Sequence, residues 1–317
     1  MKIILDNTIQ IKGKSGESSS KILTGFNAPF SSTVYKKLIK AKFSVEHVDT
    51  ATEFNAFPHV EKLNLSSVQV IKDKKADAYV CNDYSGVIKF EALKQGLVYI
   101  SPTFDLVSRH GVVASASSMD NIGVLARNAK DAFKVLYAIK EDIELKKAIK
   151  APKIKELKKG CPYAPSVFSI ISSAEFSNNV SRFDGVKFGL RVSGDLTLEK
   201  MMVDTRSEGF SLNSKANILL GNHVLIGENY NNIYDKALRL RNYILNVNLE
   251  YLKTSDLISI DFSETGEYNY SHLEVMALPS LTGLPTIAIN NKIIFAGKYN
   301  EETLMALVGD KLWNLKL

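Results

Sequence analysis

A chain of 317 residues can bury a sizeable core, and its 45% apolar and 23% charged residues give an ordinary globular balance. The net charge of +6 comes with lysines and arginines scattered along the chain, which gives no support to a dense nucleic-acid-binding arm. Two cysteines, Cys81 and Cys161, supply neither a disulfide framework nor metal-ligand spacing. No apolar run approaches the ~18 residues of a membrane span, and the opening MKIILDNTIQ is too short in apolar residues for a secretion signal. The expectation is a soluble, cytoplasmic protein in a reducing compartment, with no membrane partner.

Lys2–Leu5 reads as a strand ended by Asp6 and Asn7. The stretch SSTVYKKLIKAKF (31–43) carries Val34, Leu38 and Ile39 at helical spacing behind capping hydroxyls. Residues 44–75 are less regular. Ala76–Asn82 and Leu97–Ser101 read as strands, with a short helical piece, Lys89–Lys94, between them. The pattern of 128–149 predicts an amphipathic helix capped by Asn128, with Ala132, Leu136 and Ile139 on one face. KAIKAPKIKELKKG (147–160) is the densest basic stretch and reads as a solvated linker. Further on, 231–252 reads as a long helix and 256–262 as a buried strand. PTIAINNKIIFAG (285–297) reads as a hairpin turning at Asn290–Asn291, because asparagine tolerates the positive φ of primed turns. A closing helix over 300–315 starts behind Asn300, with Glu301 and Glu302 in its first turn and Leu304, Leu307 and Val308 facing the core. Strands and helices alternate, so the class is α/β.

From residues alone the chemistry is undecided. His47, His59, His110, His223 and His272 lie far apart in sequence, without the spacing of a metal site. No dinucleotide fingerprint, P-loop or nucleophile elbow occurs. The turn in CNDYSGVIKFEAL (81–93), with Asp83, Ser85 and Gly86 between two apolar segments, is placed where chemistry could sit.

Four stretches, in order, carry a resemblance. FDLVSRHGVVASASSMDNIGVLARNAKDAFKVLYAI (104–139) resembles the segment after the active-site turn of the amidase signature family. AEFSNNVSRFDGVKFG (174–189), DTRSEGF with ILLGNHVL and YDKALRLR (204–241), and ALPSLTGLPTIAI with AGKYNEETLMAL (277–307) resemble one branch of it. That branch is the A subunit of the glutamyl-tRNA(Gln)/aspartyl-tRNA(Asn) amidotransferase. The resemblance implies one amidase-signature-like domain over 1–317, an α/β/α sandwich with a large mixed sheet flanked by helices. It would be shortened at the N-terminus and in the middle. Residues 1–142 would form its first half, 143–165 a lysine-rich linker in place of a family insert, and 166–317 its second half.

The family's chemistry is amide hydrolysis by a serine nucleophile, a bridging serine and a neutral lysine, with backbone amides stabilising the oxyanion. Carried over residue by residue, the lysine position holds Leu5, with Asp6 and Asn7 kept. The bridging position falls on Ser66 without its flanking glycines. The nucleophile position holds Val87, with Asp83 and Gly86 kept and Lys89 where the family has arginine. Ser85 and Lys2 are the nearest substitutes, and neither is at the right place. A displacement of about 1 Å can already cost two orders of magnitude. The positions implied to bind substrate are Arg206, which would clamp a carboxylate, and Glu274, which would meet an amino group; Asp83 and Gly86 belong to the same set.

The resemblance implies a part in tRNA-dependent amide transfer, Glu-tRNA(Gln) to Gln-tRNA(Gln), as one chain of a heterotrimer. This chain is expected to hold subunits B and C with its own glutaminase centre lost, meeting tRNA only through the B subunit. ATP and Mg would be used by the B subunit, and no cofactor by this chain. The alternatives are an active glutamine amidohydrolase with a rearranged triad, and a non-catalytic amino-acid-binding protein.

Overall fold

A computed structural model describes residues 1–59, 63–194, 197–263 and 266–309. Its centre is one nine-stranded sheet. The strands are β1 (Lys2–Asp6), β2 (Ser44–Val48), β3 (Ala78–Asn82), β4 (Val98–Ser101), β5 (Ile122–Ala126), β6 (Ile154–Leu157), β7 (Leu257–Asp261), β8 (Thr286–Ile289) and β9 (Lys292–Ala296). They lie in the order β2-β1-β3-β5-β4-β8-β9-β7-β6. β2, β1 and β3 run parallel, so their carboxyl ends meet on one rim. β5, β4, β8, β9 and β7 alternate in direction, and β6 runs parallel to β7.

The helices are α1 (Thr33–Lys40), α2 (Ser66–Lys72), α3 (Val87–Lys94), α4 (Ala129–Ile139), α5 (Ala164–Asn179), α6 (Leu198–Gly209), α7 (Leu212–Leu225), α8 (Asp235–Thr254), α9 (Leu273–Met276), α10 (Leu278–Thr282) and α11 (Glu301–Gly309). They cover both faces of the sheet. On one face Val34 and Leu38 of α1, Phe133 and Leu136 of α4, and Leu304 of α11 pack on Ile3, Leu5 and Val80. On the other, Phe90 of α3, Phe168 of α5 and Leu281 of α10 pack on Ile4, Tyr79 and Cys81. Neighbouring residues of one strand thus serve opposite layers, as a period of two requires. A smaller cluster gathers Phe176, Val180, Phe183 and Phe210 round Phe54.

The hairpin turns where its asparagines predict: Asn290 and Asn291 have φ of 50° and 55°. Elsewhere long-range contacts override the local pattern. α4 stops at Ile139, ten residues before the amphipathic pattern does. Lys140 is extended, and the chain beyond it is held by the Lys146 N–H donating to the Tyr299 carbonyl (2.7 Å). The Ile149 N–H donates to Thr303 Oγ1 (3.1 Å). The lysine-rich stretch contains a strand, β6, paired with β7 a hundred residues away. Residues 44–75 hold β2 and α2. The part of the closing helix predicted beyond Gly309 lies outside the described residues. Among the described residues no helix is long and apolar enough to cross a membrane.

Candidate functional site

β3 is buried at every residue and delivers Asn82 and Asp83 to the rim. Asp83 does the work of a helix cap from inside the protein. Its Oδ1 accepts from the Ile88 N–H at 3.0 Å and its Oδ2 from the Lys89 N–H at 2.9 Å. An anion there complements the amino end of α3. Lys89 Nζ lies 3.3 Å from the same carboxylate and 5.0 Å from the centre of the Tyr99 ring. Both side chains of this ion pair are 2% exposed or less. Gly86 holds φ at 84°, and a Cβ there would stand 2.7 Å from Met276 Cβ and 2.9 Å from the Met276 carbonyl oxygen. Glycine is therefore required twice, for the backbone angle and for the close approach.

Val87 is the first residue of α3 and is 2% exposed, packed in the same layer as Tyr84, Ile88 and Met276. Ser85 is also buried, and its carbonyl accepts from the Tyr268 hydroxyl at 2.5 Å. The Tyr84 carbonyl accepts from Ser280 Oγ at 2.7 Å. The turn is thus fastened to the second half of the chain by two side chains.

Leu5 is fully buried, on the opposite face of the sheet from Val87. Ser66 opens α2 and is exposed. The side chains at the three positions matched to the triad therefore have different settings: Leu5 and Val87 lie in separate apolar layers and Ser66 faces solvent. Lys2 sits at the far end of β1 from Asp6, ~13 Å away along an extended strand. Its Nζ pairs with Glu46 at 3.0 Å.

Beside the turn, the end of β1 forms a second buried polar centre. Asp6 Oδ1 accepts from the Thr8 N–H and from Thr8 Oγ1, both at 2.7 Å, and its Oδ2 accepts from Asn55 Nδ2 at 2.5 Å. Burial nonetheless lifts the Asp6 carboxyl from 3.8 to about 6. Among the described residues no protein group pairs with the buried oxygens Asn7 Oδ1, Gln10 Oε1 or Ser18 Oγ. Asn55 itself has φ of 57°, as does Phe54.

Two further buried carboxylates organise this rim. Asp120 accepts from Asn82 Nδ2 (2.9 Å), the Ser115 N–H (3.0 Å) and the Ala116 N–H (3.1 Å), and burial raises its pKa. Glu53 accepts from Ser20, from Ser214, and from the Ser211 N–H (3.1 Å) and hydroxyl (2.5 Å), joining the N-terminal loop to the start of α7. Residue patterns did not single out Glu53, Asn55, Asn82 or Asp120. Asn82 and Asp120 do lie inside quoted motifs, and a carboxylate or amide in an apolar run is the signal they offered.

Arg206, in the last turn of α6, is half-buried. Its Nη1 donates to the carbonyls of Val180 and Phe183, both at 2.9 Å, and its guanidinium carbon lies 4.9 Å from the centre of the Phe210 ring. Glu274 lies on α9, where its carbonyl accepts from the Cys161 N–H at 2.8 Å. Among the described residues no hydrogen bond or ion pair joins Arg206 to Glu274 or either to Asp83. What the arrangement does chemically is to cap, clamp and fill. Leu5 and Val87 carry no nucleophilic or proton-accepting side-chain atom.

Known proteins share both the sequence pattern and the architecture. The family model described as Amidase matches residues 76–160. The glutamyl-tRNA(Gln) amidotransferase A subunit of Campylobacter curvus is 30% identical over an alignment covering 91% of this chain and 78% of that protein. The crystal structure of the A subunit of glutamyl-tRNA(Gln) amidotransferase from Thermotoga maritima superposes with a TM-score of 0.71 at 18% identity, covering 96% of this chain and 81% of that one. A 6-aminohexanoate cyclic dimer hydrolase superposes with a TM-score of 0.76 at 13% identity, over all of this chain and 85% of that one. At such identities these two structures speak for the fold alone.

Proposed function

The chain belongs to the amidase family, in the line of the glutamyl-tRNA(Gln) amidotransferase A subunits, and from that premise we propose that it assembles with partner subunits without hydrolysing glutamine. The single observation that carries this reading is the pair Leu5 and Val87. A valine has no lone pair to attack an amide carbonyl, and a leucine has no nitrogen to take a proton. Each side chain fills a closely packed layer on its own face of the sheet. Restoring either function would require opening a core, with voids or unpartnered polar groups as the cost.

The substitutes near the turn do not repair the loss. Ser85 is buried beneath Tyr268, and the lysine within the turn's reach, Lys89, is held by Asp83. Arg206 spends Nη1 on two backbone carbonyls, a structural role that supports scaffolding over capture of an amino acid. What the chain keeps in good order is its framework: a capped α3, a fastened turn and a continuous sheet. In this reading subunits B and C of the amidotransferase bind that framework in the cytoplasm, and the B subunit, with its ATP and Mg, uses free ammonia to amidate Glu-tRNA(Gln).

The test is reconstitution with subunits B and C from the same cell. The chain is expected to co-elute with both, to release no ammonia from glutamine alone or in the complex, and to leave ammonia-dependent amidation unchanged. Glutamine hydrolysis that disappears in Ser85→Ala would overturn the loss of chemistry. Failure to bind either of the two at micromolar concentration would overturn the scaffold.

A further inference from the structure

The lysines and arginines are spread along the chain, and one stretch is dense in lysine. Residues 146–160 hold seven lysines and one glutamate, directly after the acids Glu141, Asp142 and Glu144. All seven lysines are exposed. Among the described residues none of them forms an ion pair, whereas Glu156, the lone acid, is 3.6 Å from Lys292.

Ile154–Leu157, the middle of this stretch, forms one border of the sheet, and Ala151 ahead of it has a φ of 52°. β6, at its centre, is the outermost strand: it pairs with β7 on one side, and among the described residues no strand pairs with the other. No hydrogen bond from outside the sheet ends on the backbone of Ile154–Leu157 among those residues. Ile154 is 37% exposed within it. Lys153 and Lys155 are two residues apart, hence on one side of the strand, and Lys155 Nζ lies 5.8 Å from the centre of the Tyr251 ring.

Lysines on an edge strand normally serve to repel other edges. That repulsion applies to a second copy of this basic edge, and it reverses for an acidic one. We propose that the open edge of β6 docks an extended peptide segment in which acidic residues alternate with apolar ones, added as the next strand of the sheet. The free backbone groups supply the ladder, as in other cases of strand addition. Carboxylates opposite Lys153 and Lys155 form cross-strand pairs, and an apolar side chain opposite Ile154 covers it. Lys146, Lys147, Lys150, Lys158 and Lys159 extend the attraction beyond both ends of the strand. A nucleic acid fits less well: its phosphates have no use for an open ladder or an apolar side chain, and the stretch offers no arginine.

The test uses fluorescence anisotropy on the full chain. The probe is a short labelled peptide in which glutamate alternates with valine and threonine. Controls are the same composition with a central proline, which cannot complete the ladder, and unlabelled bulk tRNA as a polyanion. Binding is expected to be saturable and to weaken with salt. It is expected to fall about tenfold with the proline peptide and about tenfold in K153E/K155E. K158E/K159E, outside the strand, is expected to weaken binding less and serves if the first variant does not fold. Equal binding of the two peptides, no binding at low salt, or tRNA binding tighter than the peptide and lost in the same variants would each overturn the proposal.

Discussion

Two strand ends lie side by side in the sheet and settle their polar groups in opposite ways. At the end of β3, Asp83 is fully engaged by two backbone amides and Lys89, and Val87, the first residue of α3, packs in the apolar layer beyond it. At the end of β1, Asp6 keeps three donors but remains hard to ionise, and three buried oxygens nearby have no protein partner among the described residues. The first centre behaves as ordinary structure. The second still carries a cost of the kind usually found at functional sites. The carboxylate at the end of β3 is therefore matched by protein partners, and the polar centre at the end of β1 is matched only in part.

The largest expected effect breaks the first centre. Lys89→Ala leaves a buried carboxylate with no cation and is expected to cost about 3–5 kcal/mol in urea unfolding. The double change Asp83→Asn with Lys89→Met should cost clearly less than that. If the single and double variants cost the same, Asp83 is not held mainly by its lysine.

Asp6 tests the second centre. Its carboxyl is raised from 3.8 to about 6, so the folded protein holds this proton more tightly than the unfolded chain does. The stabilisation is complete below about pH 4 and is lost as pH rises through 6, amounting to roughly 3 kcal/mol by pH 7. Asp6→Asn should lack this fall, so its unfolding free energy should change less between pH 4 and 7 than that of the parent. Identical pH profiles would erase the contrast between the two strand ends.

Val87→Ser is a smaller test of the same contrast. A hydroxyl placed in a finished apolar layer is expected to cost about 1–3 kcal/mol and to yield no ammonia from glutamine. Ser66→Ala, at an exposed helix start, is expected to stay within about 0.5 kcal/mol of the parent in the same unfolding assay.

The residues show unequally how much of this was legible beforehand. The Asn290–Asn291 hairpin was readable because its two asparagines state the turn geometry locally. The apolar character of Leu5 and Val87 is plain in the sequence, and the period of two along β1 sets the face on which Leu5 lies. What the pattern did not contain was long-range. α4 ends at Ile139 because distant residues capture the chain after it, and β6 exists only because β7 is there to pair with it. Asp83 as a cap from within, and Glu53 as a link to α7, likewise depend on partners that no window of neighbouring residues includes.

The sheet order has a consequence for how the protein is made. β8 and β9, the hairpin of residues 286–296, stand between the first five strands and the pair β7-β6. On a ribosome the first five strands can assemble early, but β6 and β7 emerge before the two strands that join them to the rest of the sheet. They must wait for the hairpin, some 35 residues and on the order of a few seconds of synthesis after Asp261. During that interval one edge of β7 and one edge of β4 have no strand partner. A nascent chain stalled before residue 286 would therefore hold two unjoined pieces of one sheet, and the last-made hairpin is the part that closes it.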